Sequence, residues 1–299
     1  MSRATTPMLS RRLATAFLFS PILALGLLTE TPGRLVIAGV VAACSVWGLS
    51  EFFNLAQRIG ALPPRGWLFF VVLVAPWLVL ANGAWGLSYR WLTAWMVVGA
   101  LGILVWGVYS GRSERWWETL LASIAALVYV PLPLLLAQIL RQSEHGSRYL
   151  FFVIAVTWLA DTGAFFGGRR FGRRKLCPAI SPGKTWEGLI AGMALGVGGT
   201  LALGALQAAL VAEEASIRFY WTAGSASDIL RLGVLAAILV LAGVLGDLSE
   251  SMLKRDLGVK DSGSPLTGHG GFLDIVDSLL VNIPLVFVYA LLVEGLILS

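Results

Sequence analysis

The chemistry of this chain is concentrated near its C-terminal end. Residues 246–277 hold six acidic side chains (Asp247, Glu250, Asp256, Asp261, Asp274, Asp277), three basic ones (Lys254, Arg255, Lys260) and His269, one of only two histidines. If the apolar run before Asp247 continues as a helix, Asp247, Ser251 and Lys254 share one face at i, i+4, i+7 spacing. Asp274 and Asp277 fall one turn apart where the last apolar run begins. Carboxylates from two separate helices suit a hard divalent ion. Mg²⁺ takes oxygen ligands and is usually held by one or two carboxylates together with substrate phosphates. Residues 268–271 read Gly-His-Gly-Gly, and glycines there let the backbone approach a ligand closely. Glu250 and Lys254, four apart, read as an ordinary solvated ion pair.

A second polar group lies upstream. Asp161 sits inside an apolar run, where an ionisable group is costly and marks a candidate site; the plainer alternative is an interfacial carboxylate paired with a loop arginine. Ser181, Pro182, Gly183, Lys184 and Thr185 follow, then Trp186, where a helix is expected to begin. Glycine, lysine, hydroxyls and the first amides of a helix together suit a phosphate. The segment is not a Walker A loop, because Pro178 stands where that pattern needs glycine, and no strand is expected before it. Arg169, Arg170, Arg173, Arg174 and Lys175 form a basic cluster. It fits a topology signal or an anionic-lipid contact, and equally a nucleotide or phospholipid phosphate.

The elements that position these groups are membrane helices. Of the 299 residues, 57% are hydrophobic and only 13% charged, with a mean hydropathy of +0.80. A soluble domain carries about 25% charged residues, so composition excludes a soluble enzyme, a disordered protein and a nucleic-acid-binding domain, despite a pI near 9.5. The expected fold is an all-α polytopic membrane protein with nine spans, near 13–29, 35–50, 67–83, 91–109, 119–140, 149–166, 186–210, 229–247 and 279–297. The first is expected to be a retained helix, not a cleaved signal peptide. Pro131 and Pro133 should kink the fifth. Gly188, Gly192, Gly196, Thr200 and Gly204 line one face of the seventh and read as a packing seam. Cys44, in an apolar run, and Cys177, in a basic loop, have no metal-type spacing.

With nine spans, alternate connections starting from the N-terminus hold 16 of the 22 basic residues. The positive-inside rule places those connections in the cytoplasm, and with them the two polar loops. The chain divides into N-terminal helices (1–148) and a C-terminal region bearing the polar motifs (149–299). No internal repeat is visible, which disfavours an inverted-repeat transporter.

Ser251, Lys254, Arg255, Lys260, Asp261, His269, Gly270, Gly271, Asp274 and Asp277 occur in the order and spacing of a known signature. With residues 160–164 (Ala-Asp-Thr-Gly-Ala) and 181–186, the chain resembles the phosphatidate cytidylyltransferase (CDP-diacylglycerol synthase) family of integral membrane enzymes. The likeness is dense from about residue 158 to 280 and only architectural before that.

The resemblance implies transfer of CMP from CTP to phosphatidate, giving CDP-diacylglycerol and pyrophosphate in a bacterial inner (plasma) membrane. It implies Asp247 and Asp274 as metal ligands for Mg²⁺, two divalent ions in all, with or without an added K⁺. Ser181, Lys184 and Thr185 would hold the CTP phosphates beside Asp161. Lys254, Arg255 and Lys260 would neutralise phosphate charge, with Asp261 in the same signature. His269 would be a donor or proton carrier, and Asp277 would orient Lys260 or His269. CTP, phosphatidate and membrane lipid are then the partners, and a homodimer is allowed. Two positions depart from the pattern: Ile275 replaces an arginine, and Thr267 a small residue or proline. The alternatives are a paralogue using another lipid phosphate and a non-enzymatic membrane transporter.

Overall fold

The computed structural model describes residues 21–22, 24–83, 88–111, 114–143, 145–210, 226–260, 262–263 and 271–293. Nine helices run through them: α1 (Thr31–Ala56), α2 (Arg65–Gly83), α3 (Ser88–Ser110), α4 (Trp116–Tyr129), α5 (Pro131–Gln142), α6 (Gly146–Phe171), α7 (Trp186–Leu210), α8 (Ala226–Asp256) and α9 (Leu273–Val293). A helical stretch over 24–28 precedes α1. Seven helical segments among the described residues are long and apolar enough to cross a membrane, α4 and α5 counting as one, and α2 contributes a shorter apolar helix over Arg65–Ala81. The expected first span falls largely outside the described residues. The fold is all-α and polytopic but for one small hairpin.

The kink expected in the fifth span is a break. Val130 ends α4 and begins α5, and Pro131 opens the new helix because a first-turn residue needs no amide donor. The second span runs past its expected end, to Ala56, and the last begins earlier, at Leu273. Both extensions carry polar residues that hydropathy alone places in loops.

The glycine face of the seventh span packs as a seam against α6. A Cβ on Gly188 would lie 3.0 Å from the Ala164 carbonyl, and one on Gly192 2.9 Å from that of Ala160. Small residues let backbones meet closely in lipid, where no hydrophobic force drives helices together. This tight pair sets the geometry of the polar end. The α6 and α7 ends that carry polar residues are held side by side, while α8 and α9 pack against them. On the far side α3 is peripheral and turns Val97, Leu101, Val105 and Val108 outward, the pattern of a lipid-facing helix.

Candidate active site

The segment expected as a loop between α6 and α7 is an antiparallel hairpin of β1 (Lys175–Cys177) and β2 (Ser181–Thr185), with Lys175 opposite Thr185 and Cys177 opposite Ser181. Proline and glycine inside β2 hide the strand from local pattern. The two helix ends hold it instead. The Glu187 carboxylate accepts the Arg173 amide at 3.0 Å and the Arg174 amide at 3.1 Å, and the Trp186 amide donates to the Arg174 carbonyl.

The phosphate-cradle expectation needs correction at one point. Thr185 is buried, and its hydroxyl accepts the Gly188 amide at 3.1 Å, capping α7. The first amides of α7 are therefore engaged within the protein instead of facing a ligand. Thr185 thus helps build the hairpin, and accepting an amide leaves its hydroxyl proton available to a ligand. What the hairpin presents is Lys184, whose Nζ lies 2.7 Å from Asp247 Oδ2 on α8, with the two side chains 22% and 39% exposed. Ser181 is half-buried on the paired strand.

Helix α8 runs unbroken to Asp256, so the expected face exists: the Ser251 hydroxyl donates to Asp247 Oδ1 at 3.3 Å. Asp161 on α6 is exposed, and Asp277 on α9 is buried. Asp161, Asp247 and Asp277 lie within electrostatic reach of one another and of Lys184. The loop-arginine alternative for Asp161 is not what forms: the charged neighbours that act on it are Asp247 and Lys184.

A second group sits beside the first. Lys254 bridges Glu250, at 3.2 Å, and Asp274. Glu250 is only 1% exposed, so the pair expected to be solvated is buried. Asp274 is fully engaged. Its Oδ1 takes Lys254, and its Oδ2 accepts the Gly271 amide at 2.7 Å, the Ser262 amide at 3.2 Å and the Ser262 hydroxyl at 3.1 Å. Arg255 and Lys260 are exposed. Asp261 and His269 lie outside the described residues. Ile275, 47% exposed at the first turn of α9, leaves room for a longer side chain.

The donor sets around the two aspartates differ in their fit to a divalent cation. Asp247, with Asp161, Asp277 and the Ser251 hydroxyl nearby, offers hard oxygen ligands around a position that a lysine ammonium already approaches. Asp274 has both oxygens occupied, Oδ1 by Lys254 alone and Oδ2 by donors from Gly271 and Ser262, so a cation there meets an ammonium already in place. Among the described residues no three acidic, histidine or cysteine side chains are gathered closely enough to hold an ion.

Sequence reasoning missed Glu51. Its carboxylate, buried on α1, accepts the Phe272 amide at 2.8 Å, the Leu273 amide at 3.0 Å, the Ser262 hydroxyl at 3.1 Å and Trp47 Nε1 at 3.1 Å. The signal was present: an acidic residue at the end of an apolar run is as costly at 51 as at 161.

The profile of a cytidylyltransferase family matches residues 10–293. The chain belongs to that family. This cytidylyltransferase is 33% identical over 291 residues to the phosphatidate cytidylyltransferase of Haemophilus influenzae, covering 93% of this chain and 96% of that one. It is 34% identical over 282 residues to the protein of that name from Pseudomonas aeruginosa, covering 93% and 95%. To that from Brucella suis it is 36% identical over 225 residues, covering 75% and 72%. The match runs through the N-terminal helices as well as the polar motifs.

Proposed function

We propose that this cytidylyltransferase transfers CMP from CTP to phosphatidate, giving CDP-diacylglycerol and pyrophosphate. The observation that carries the reading is the 2.7 Å pairing of Lys184, from the hairpin, with Asp247 on α8, at one polar end of a bundle matched over most of its length by relatives named phosphatidate cytidylyltransferase. A lipid phosphate reaches such a site laterally, and a nucleotide from the water beside it.

The reaction needs no covalent enzyme intermediate. A phosphatidate oxygen attacks the α-phosphorus of CTP, the bond from that phosphorus to the β-phosphate's bridging oxygen breaks, and pyrophosphate leaves. A phosphate monoester is already largely ionised near neutral pH, so no general base is required. What the protein supplies is alignment and charge neutralisation. Lys184 neutralises CTP phosphate charge, with Ser181 on the same strand. Arg255 and Lys260, exposed near the end of α8, meet the leaving pyrophosphate or the lipid headgroup. Lys254 fixes Asp274 at the head of α9. Asp261 and His269 belong to the same connection, His269 as donor or proton carrier.

Mg²⁺, when bound, would supply Lewis-acid charge to the phosphate oxygens; Asp247 would hold it together with substrate phosphates, since no three acidic side chains among the described residues are gathered closely enough to do so by themselves. A second divalent ion, or a K⁺, at Asp274 would have to compete with the Lys254 ammonium on Oδ1.

The basic-residue asymmetry supports a cytoplasmic site in a bacterial inner membrane, with the hairpin and the 250–272 segment inside. In a background lacking Cys44 and Cys177, Arg173→Cys should react with an impermeant maleimide in inverted vesicles and not in intact cells. Reaction in intact cells contradicts this sidedness.

Ile275 bears on the lipid. An arginine there would follow Asp274 directly, and one charge-assisted hydrogen bond contributes roughly 1.5–3 kcal/mol. Ile275→Arg should therefore raise kcat/KM for phosphatidate by about one to two orders of magnitude, chiefly through KM. An unchanged or lower value favours a lipid phosphate other than phosphatidate. Labelled CTP offered with a panel of lipid phosphates tests the substrate assignment: phosphatidate should be converted fastest, and preference for another member overturns it.

A further inference from the structure

The N-terminal helices carry no part of the transferase signature, yet one of their side chains reaches the polar end. We propose that Glu51 is a positioning residue of the transferase site, holding the first turn of α9, and with it Asp274, in working geometry. The proposal rests on the transferase reading above.

The geometry is that of a helix cap supplied from another helix. The first amides of a helix lack intrahelical partners, and a carboxylate there is favoured by both hydrogen bonding and the helix dipole. In α9 that carboxylate is not local. Glu51 Oε1 accepts the Phe272 amide at 2.8 Å and Oε2 accepts the Leu273 amide at 3.0 Å. Trp47 Nε1 donates to Oε1 from one turn earlier on α1, and its ring stacks on Phe272 with centroids 5.3 Å apart.

The carboxylate also grips the other stem of the connection. The Ser262 hydroxyl lies 3.1 Å from both Glu51 Oε2 and Asp274 Oδ2, so the two acids share its single proton and are coupled through it. Both neighbouring glycines are required by this closeness. A Cβ on Gly263 would lie 2.6 Å from Glu51 Oε1; one on Gly271 would lie 2.6 Å from Oε2 and overlap the Ser262 hydroxyl.

Glu51 is 5% exposed, and among the described residues the groups bonded to it are four donors, none of them a cation. A buried carboxylate held this way is costly unless every donor is in place, which makes the arrangement all-or-none. Asp274 inherits that definition: its Oδ2 accepts from Ser262 and Gly271, the same two residues that Glu51 packs against. The N-terminal helices thus hold the signature in place from outside it.

The test separates positioning from packing. Glu51→Gln keeps the shape but turns one acceptor into a donor facing an amide or a hydroxyl. Its kcat, per folded molecule in detergent, should fall about 10–100-fold, the usual effect of altering a group that orients a site residue, with KM for CTP within about threefold of wild type. A purely structural role lowers melting temperature and yield but leaves kcat per folded molecule unchanged, and that result overturns the proposal. If Glu51→Gln does not fold, Ser262→Ala decides. It cuts the bridge to Asp274 and leaves Glu51 three donors, and it should lower kcat about tenfold at constant KM; wild-type kcat overturns the proposal.

Hydrogen exchange gives a reading that needs no turnover. Amides 271–274 should exchange at least about tenfold faster in Glu51→Gln than in wild type, with 91–110 unaltered. Unchanged exchange at 271–274 overturns the proposal. An inactive wild type whose exchange responds in this way counts against the transferase reading and for the clamp.

Discussion

Asp247→Asn should reduce turnover by about two orders of magnitude or more while leaving the protein folded. Asp247 is 39% exposed and paired with Lys184 at 2.7 Å. Exposed pairs contribute about 0–1 kcal/mol to stability, so the melting temperature should hardly move. Catalysis is another matter. On α8 the aspartate is the partly exposed carboxylate that meets Lys184 of the hairpin. Removing one preorganised electrostatic contact to developing charge typically costs about 2.7–4 kcal/mol in the transition state, which is roughly two to three decades in rate. The measurement is kcat against Mg²⁺ concentration. Near-normal, Mg²⁺-dependent turnover in the variant removes Asp247 from the metal set. Asp274→Asn should also abolish turnover, for a different reason: its Oδ2 accepts the Gly271 and Ser262 amides and its Oδ1 holds Lys254, and an amide cannot do both.

Lys254→Met should be the most destabilising single change at the site. Lys254 is 12% exposed between Glu250, 1% exposed, and Asp274, 12% exposed. Taking away the cation leaves two carboxylates close together in a poorly hydrated place. Breaking a buried pair by deleting one partner costs about 3–5 kcal/mol, a large share of the roughly 5–15 kcal/mol by which proteins are stable. Adding Glu250→Gln removes one of the stranded charges. The double variant should therefore recover much of the folded yield while remaining inactive, because Asp274 still lacks its lysine. Thermal melts of the two single variants and the double give the coupling directly. Additive losses contradict a shared buried network.

Some of this architecture can be read from residue order alone, because its causes are local. Small residues at every fourth position of the seventh span can serve little but close packing, and they form the α6–α7 seam. Two prolines one residue apart break a helix wherever they fall, and α4 gives way to α5 there. Asp247 and Ser251 share a face because α8 simply continues.

What escaped the sequence depends on partners distant along the chain. The hairpin at 175–185 has strand residues of poor β propensity and exists because Glu187 and the α6–α7 seam pin its ends. Residue type cannot show that the Thr185 hydroxyl also caps α7 by accepting the Gly188 amide. Glu250 and Lys254 were read as solvated because helical spacing says nothing of α9 lying against them. Glu51 was lost by one residue, since apolarity alone ends the second span at 50, whereas the helix runs to Ala56.

The central claim is a transfer of CMP to a lipid phosphate at this polar end. Purified protein in detergent, given phosphatidate, Mg²⁺ and CTP labelled at either the α- or the γ-phosphate, tests it most directly. The α-label should move into the organic phase as CDP-diacylglycerol, while the γ-label stays in water as pyrophosphate, one released per lipid formed. An organic-phase γ-label, or no lipid-dependent release of pyrophosphate by protein that is folded, would contradict the account.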